Sequence, residues 1–73
     1  MLLEAEGRTA DAAYRYREAI RLRPDFGKAH LELGAVLARQ GDRAGAAKEF
    51  RAALSDPDSQ VRQGASAGLA TSE

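Results

Sequence analysis

The stretch that decides the fold is His30-x-x-Leu33-Gly34-x-x-Leu37, then Gly41-Asp42, then Ala46-x-x-x-Phe50-x-x-Ala53. Apolar residues recur at three- and four-residue spacing on both sides of the Gly-Asp pair, which predicts two amphipathic helices. Gly is typical of helix ends and Asp of helix starts, so Gly41-Asp42 predicts the turn between them. We predict that Gly34 contacts Ala46, with Leu37 and Phe50 filling the space beside them. The stretch therefore predicts an antiparallel helical hairpin.

The hairpin belongs to an internal repeat, because the chain matches itself at an offset of 34 residues. At this offset Gly7 aligns with Gly41 and Tyr16 with Phe50. Several alanines and one arginine align as well: Ala10, Ala12, Ala13, Arg17 and Ala19 fall on Ala44, Ala46, Ala47, Arg51 and Ala53. A fixed period of this size indicates stacked copies of one supersecondary unit.

The repeat predicts where the other helices begin and end. Met1 to Glu6 is predicted to be the end of one helix, which Gly7 stops, and Arg8 or Thr9 is predicted to begin the next. Over residues 10–23 this helix carries the apolar stripe Ala12, Ala13, Tyr16, Ala19 and Ile20. Pro24 ends that helix, and Asp25 is predicted to cap a helix over 28–40. A helix over 43–55 follows. Asp58 is predicted to cap a last helix over 59–69 with the stripe Val61, Ala65 and Leu69, and the tail 70–73 is expected to fray.

The two copies resemble the tetratricopeptide repeat, whose pattern has Leu-Gly in the first helix and Ala-x-x-x-aromatic in the second. The residues that carry the resemblance are Leu33, Gly34, Leu37, Gly41, Asp42, Ala46, Phe50 and Ala53, and in the earlier copy Leu3, Gly7, Ala12, Tyr16, Ala19 and Pro24. His30 departs from the pattern, which favours Trp there. The resemblance implies an all-α fold of antiparallel helical hairpins stacked as a short solenoid: a partial repeat over 1–24, a full repeat over 25–56, and a capping helix and tail over 57–73. Asp56 to Ala65 is also similar, over a short span, to the start of a HEAT-type repeat.

Composition limits the classes of function. The 73 residues suffice for one small domain, and sixteen of them are Ala, which predicts a thin core. Eleven basic and eleven acidic residues balance, so the chain as a whole has no field that would attract nucleic acid or a membrane surface. There is no Cys, and no apolar run approaches the length of a membrane span.

The family resemblance implies a binding function, in which first helices line a concave groove for a partner peptide or helix. We predict that the groove side of the third helix carries Lys28, Leu31, Ala35, Ala38 and Arg39, an apolar strip with a cation at each end. The alternative for Leu31 is that it packs on the neighbouring repeat. A second prediction is self-association as a homodimer through the incomplete first repeat, at Leu2, Leu3, Tyr14 and Tyr16.

The remaining charged residues favour structural roles. Arg8, Arg15, Arg17, Arg21 and Arg23 form a basic cluster, which we interpret as a solvated face with local pairing to Asp11 and Glu18 rather than a nucleic-acid site. His30 lacks neighbours at metal-ligand spacing, and we expect a packed or half-exposed side chain. Asp56 and Asp58 fit a turn and a helix cap. The sequence therefore predicts no catalytic, metal or cofactor site, and a protein or peptide partner.

Overall fold

Four helices form the part of the chain that a computed structural model describes, namely the backbone of residues 2–72 and the side chains of residues 8–71. Helix α1 spans Leu2–Leu22, α2 Gly27–Arg39, α3 Arg43–Ala53 and α4 Ser59–Ser72. Helix α2 packs most extensively on α3 and also contacts α1 and α4, and α3 contacts α4. The order is that of consecutive antiparallel hairpins, and the predicted all-α fold class is confirmed.

The turn at Gly41-Asp42 is built as the sequence predicts. Gly41 has a φ of +85°, the left-handed conformation that glycine adopts without strain. Its N–H donates to the Ala38 carbonyl at 3.1 Å, and the Asp42 N–H donates to the Leu37 carbonyl at 2.9 Å. Asp42 Oδ1 then accepts from the Gly45 N–H at 2.9 Å. One Gly-Asp pair thus closes α2 and caps α3.

The predicted turn at Gly7 is wrong, because α1 continues through this position from Leu2 to Leu22. A glycine inside a helix costs roughly 1 kcal/mol relative to alanine, too little to break a helix by itself. Arg8 follows Gly7 where Asp42 follows Gly41. A guanidinium only donates hydrogen bonds, so Arg8 is unable to cap a new helix as Asp42 does.

Two further boundary predictions are corrected. Asp25 does not cap α2, because Phe26 occupies the N-cap position and makes no side-chain cap bond. The Phe26 N–H donates to the Arg23 carbonyl at 3.0 Å, and α2 begins directly after Phe26, at Gly27, one residue before the predicted start at Lys28. The last helix is predicted over 59–69, but α4 continues to Ser72; Glu73, at the end of the tail expected to fray, lies outside the described residues. The Thr71 hydroxyl donates to the Gly68 carbonyl at 3.0 Å within this last turn.

The ring of Phe50 lies at the centre of the packing, between glycines on two other helices. A Cβ built on Gly34 of α2 would lie 2.7 Å from Phe50 Cε1, and one built on Gly68 of α4 would lie 2.6 Å from Phe50 Cζ. Both distances are below normal contact, so only glycine admits the ring at these sites. The ring of Phe50 thus lies beside Gly34, as predicted, and it supplies the atoms nearest to this site in place of Ala46.

The core follows the predicted apolar stripes. Val36 was not predicted to be buried, but it lies in the core. The last helix packs through Val61 and Ala65 as predicted. The buried cluster contains Ala13, Leu33, Val36, Leu37, Ala46, Phe50, Ala53, Val61 and Ala65, with Ala12, Tyr16, Ile20, Leu31 and Leu69 partly buried against it. Four of its nine members are alanines, consistent with the thin core that composition predicts.

Candidate functional site

The outward face of α2 carries the five residues predicted for a groove, and we call them the α2 stripe. Lys28, Ala35, Ala38 and Arg39 are exposed, and Leu31 is half-buried. They recur at three- and four-residue intervals, so they lie on one face of the helix. The opposite face packs inward through Ala29, Leu33, Gly34, Val36 and Leu37. The structure therefore brings the predicted residues together on one surface.

Shallow depressions lie on both sides of the α2 stripe. The one between α1 and α2 is lined by Arg15, Tyr16, Ala19, Phe26, Lys28, Ala29 and Glu32. The one between α2 and α4 is lined by Lys28, Leu31, Glu32, Asp58, Gln60 and Val61. Lys28 and Glu32 belong to both, so the two depressions meet across the first half of α2.

Leu31 contributes to packing as well as to the exposed surface. Its side chain belongs to the partly buried residues around the core. A Cβ built on Gly64 of α4 would lie 2.9 Å from Leu31 Cδ2, so α4 approaches α2 closely at this point. This is the alternative considered for Leu31, packing on the neighbouring unit, and it leaves part of the side chain open to solvent.

Sequence reasoning missed several residues of these depressions. Glu32 lies four residues, or one turn, after Lys28 on the same face of α2. This spacing is the signal by which the sequence could have predicted that Glu32 lines the depressions. Phe26 follows a Pro-Asp turn and was given no role, but its ring lines the α1–α2 depression. The Arg23 guanidinium lies over this ring, 4.8 Å from its centroid. Asp58 faces the α2–α4 depression while its Oδ1 accepts the Gln60 N–H at 2.9 Å, which is its predicted capping role.

His30 joins three segments of the chain. Its Nδ1 lies 2.7 Å from Glu49 Oε1 on α3, and its Nε2 lies 2.8 Å from the Pro24 carbonyl oxygen in the α1–α2 loop. A carbonyl oxygen only accepts, so Nε2 donates to Pro24. The side chains of His30 and Glu49 are mostly buried, 13% and 16% exposed. The predicted packed histidine is thus observed, and its partners hold the hairpin to the preceding loop.

The residues predicted for self-association do not share one described surface. Tyr14 is 66% exposed, whereas Tyr16 is partly buried against the core. Residues two apart on a helix point to different sides, which explains the separation. Leu2 and Leu3 lie outside the residues whose side chains the structure describes.

The arginines of α1 lie on its exposed sides, as the interpretation of a solvated face predicts. Arg21 pairs with Glu18 at 3.0 Å. This hydrogen bond, together with the charge of Glu18, raises the pKa of the Arg21 guanidinium. The predicted pairing of Asp11 is absent: over residues 8–71 the arginine and lysine side chains form one ion pair, Arg21 with Glu18.

Metal sites and membrane-spanning helices are two further features considered for the described residues. Over the described part of the chain, no group of three or more His, Asp or Glu side chains is arranged to hold a metal ion. Helices α1 to α4, as described over residues 2–72, include none with the length and apolar character needed to cross a bilayer.

Comparison with known proteins gives one match. A family model described as a tetratricopeptide repeat matches residues 1–61, which include α1, α2, α3 and the start of α4. No curated protein and no solved structure matches the chain significantly.

Proposed function

The chain belongs to the tetratricopeptide repeat family, and we propose that it is a protein-interaction module that binds a partner segment along the α2 stripe. Members of this family generally act as non-catalytic modules for protein–protein interaction. The observation that carries the proposal is the strip of exposed Ala35 and Ala38 and half-buried Leu31, with an exposed cation at each end.

The size and chemistry of the stripe suggest what it binds. Lys28 and Arg39 are separated by eleven residues, or about 16 Å along a helix. An extended segment of about five residues spans this distance. The matching partner is therefore a short apolar segment with an acidic residue near each end. Its exposed carboxylates pair with Lys28 and Arg39, and its apolar side chains cover Ala35 and Ala38.

The proposed mechanism is passive. Neighbouring helices hold α2 through buried Leu33 and Leu37, so the stripe is in place before the partner arrives. A pre-organised surface loses little conformational entropy on binding, which leaves more of the contact free energy for affinity.

A titration with designed peptides tests the proposal. The probes are two nine-residue peptides with the same five-residue apolar centre, one flanked by two acidic residues on each side and the other by two lysines. We expect the acidic peptide alone to shift backbone amide NMR signals of the α2 stripe. The double variant Lys28→Glu, Arg39→Glu should reverse the preference, because it inverts the charge at both ends.

The matched control is Arg51→Glu, which changes an exposed cation on α3 away from the stripe. This variant should bind the acidic peptide like the unmodified chain. Shifts on another face, or binding that ignores the charge of the flanks, would show that the proposal is wrong.

Self-association is the second candidate function, and the observation that supports it is the exposed ring of Tyr14 on α1. Sedimentation equilibrium over a wide concentration range tests it. A dimer that dissociates in the variant Tyr14→Ser supports it, and a monomer at all concentrations excludes it.

A further inference from the structure

Three charged side chains along the outward face of α2 alternate in sign and are not paired with one another. Lys28 and Glu32 lie one turn apart, and Arg39 follows at the far end of the α2 stripe. Over residues 8–71 none of the three forms an ion pair or a side-chain hydrogen bond. Lys before Glu is the less favourable order at four-residue spacing, which agrees with the absence of a pair between Lys28 and Glu32.

Glu32 is half-buried, and it lines both depressions beside the α2 stripe. Among the described residues, no buried side-chain oxygen or nitrogen lacks a hydrogen-bond partner. The Glu32 carboxylate has no partner, so its oxygens are open to solvent while the rest of the side chain is partly covered. A carboxylate beside a protein surface attracts a cation more strongly than one surrounded by water, because the effective dielectric constant is lower there.

The α2–α4 depression contains a second carboxylate. Asp58 lines it from the start of α4, and its Oδ1 accepts the Gln60 N–H at 2.9 Å. Its Oδ2 makes no hydrogen bond within the described part of the chain. Leu31 and Val61 supply apolar surface in the same depression. Lysine and arginine match such a site, because their methylene stems pack on apolar surface while the charged end meets the carboxylates.

The spacing of charges on α2 matches the spacing of side chains along an extended segment. Lys28 and Glu32 are four residues apart, or about 6 Å along the helix. Residues two apart in an extended chain point to the same side and are separated by about 6.6 Å. A partner acid at Lys28 therefore places the side chain two residues further along opposite Glu32.

We propose that the partner segment bound along the α2 stripe carries a lysine or arginine two residues from the acid at Lys28, and that Glu32 and Asp58 bind this base. The inference rests on the function proposed above and adds the direction in which the segment lies. A segment with one acid at each end matches Lys28 and Arg39 in either direction. The second half of α2, residues 33–39, has no acidic side chain, so a base beside only one acid fixes that end at Lys28.

Two lysine-containing peptides, derived from the nine-residue acidic peptide described above, test the proposal. In the mixed peptide, a lysine replaces the second residue of the apolar centre, two positions after an acid. In the centred peptide, a lysine replaces the middle residue of the apolar centre, so the composition and charge are the same. In NMR titrations we expect the mixed peptide to bind about threefold more tightly than the centred peptide, because it gains one partly screened ion pair.

Variants of the chain show which carboxylates recognise the lysine. Glu32→Gln should remove the difference between the mixed and centred peptides without preventing the binding of the acidic peptide. Asp58→Asn retains a helix cap and should reduce the difference in part. Asp11→Asn is the matched control, because Asp11 is an exposed carboxylate on α1 that lines neither depression beside the α2 stripe. This control should keep the full difference.

A nitroxide spin label attached to one end of the peptide measures the direction of binding. When the label is on the end next to the lysine, the mixed peptide should broaden the amide signals around Lys28 and leave those around Arg39 sharp. The acidic peptide with the same label should broaden the signals at both ends, because it binds in both directions.

The outcomes distinguish this inference from the function on which it rests. If the acidic peptide shifts the amides of the α2 stripe but the mixed and centred peptides bind equally, the inference is wrong and the proposed function stands. A preference for the mixed peptide that survives Glu32→Gln would also overturn the inference, because the lysine would then bind elsewhere. Binding by none of the three peptides would overturn both.

Discussion

Gly7 and Gly41 occupy the same position in the 34-residue repeat, but only Gly41 ends a helix. At Gly41 the next residue is Asp42, which caps α3, and the hairpin that forms buries Phe50 against Gly34. At Gly7 the next residue is Arg8, and α1 runs on. The difference teaches that glycine permits a turn, whereas the capping side chain and the packing of the two helices decide whether it forms.

The largest expected difference between the two copies concerns their aromatic residues. Phe50→Ala should cost about 3–5 kcal/mol, because it empties a fully packed site. That is comparable to the whole stability of a chain this small, so we expect loss of cooperative unfolding. Tyr16→Ala should cost about 1 kcal/mol, because the side chain is only partly buried. Urea denaturation followed by circular dichroism measures both, and equal costs would contradict the lower burial of Tyr16.

Substitution by alanine at Gly41 and at Gly7 should change the free energy of unfolding in opposite directions. Gly41→Ala should destabilise by about 1–2 kcal/mol, because an L-residue is strained at a φ of +85°. Gly7→Ala should stabilise by about 0.5–1 kcal/mol, because alanine is the better residue inside a helix. The two variants are each other's control in thermal melts. If Gly7→Ala destabilised like Gly41→Ala, a turn would exist at Gly7 in solution.

The residues after the glycines give the smallest difference. Asp42→Ala should cost about 1 kcal/mol through loss of the bond to the Gly45 N–H. Arg8→Ala should change stability by no more than about 0.5 kcal/mol, because Arg8 is exposed. Asp42→Asn is the control that keeps a cap. An Asp42→Ala variant as stable as the unmodified chain would show that the cap contributes nothing to the turn.

Much of the fold follows from local patterns. The hairpin, its Gly41-Asp42 turn, the Asp58 cap and the apolar stripe of α4 were all predicted, because spacing and capping depend on neighbouring residues. The α2 stripe was predicted as a set of residues on one face for the same reason. Its role in binding stays a prediction.

Besides the helix boundaries at Gly7, Asp25 and residue 69, what the sequence did not predict are contacts between distant residues. Whether Ala46 or Phe50 lies nearest to Gly34 depends on how far the aromatic ring extends between the two helices. The spacing of apolar residues along the sequence does not specify this. The two contacts of His30, with the Pro24 carbonyl and with the Glu49 carboxylate, likewise form only when α2 and α3 are packed together. Helix α1 continues through Gly7 because Arg8 is unable to cap a new helix as Asp42 does. Aligning the two copies of the repeat places the glycines together but does not show whether a capping residue follows.

The position of Phe50 between Gly34 and Gly68 has a consequence for sequence change in this chain. Three residues on three helices share one volume, so none of them is free to vary alone. A methyl group gained at either glycine requires atoms lost at Phe50, and a smaller residue at Phe50 leaves space that only a larger neighbour fills. We therefore expect substitutions at these three positions to be linked, although more than thirty residues of chain separate the first from the last.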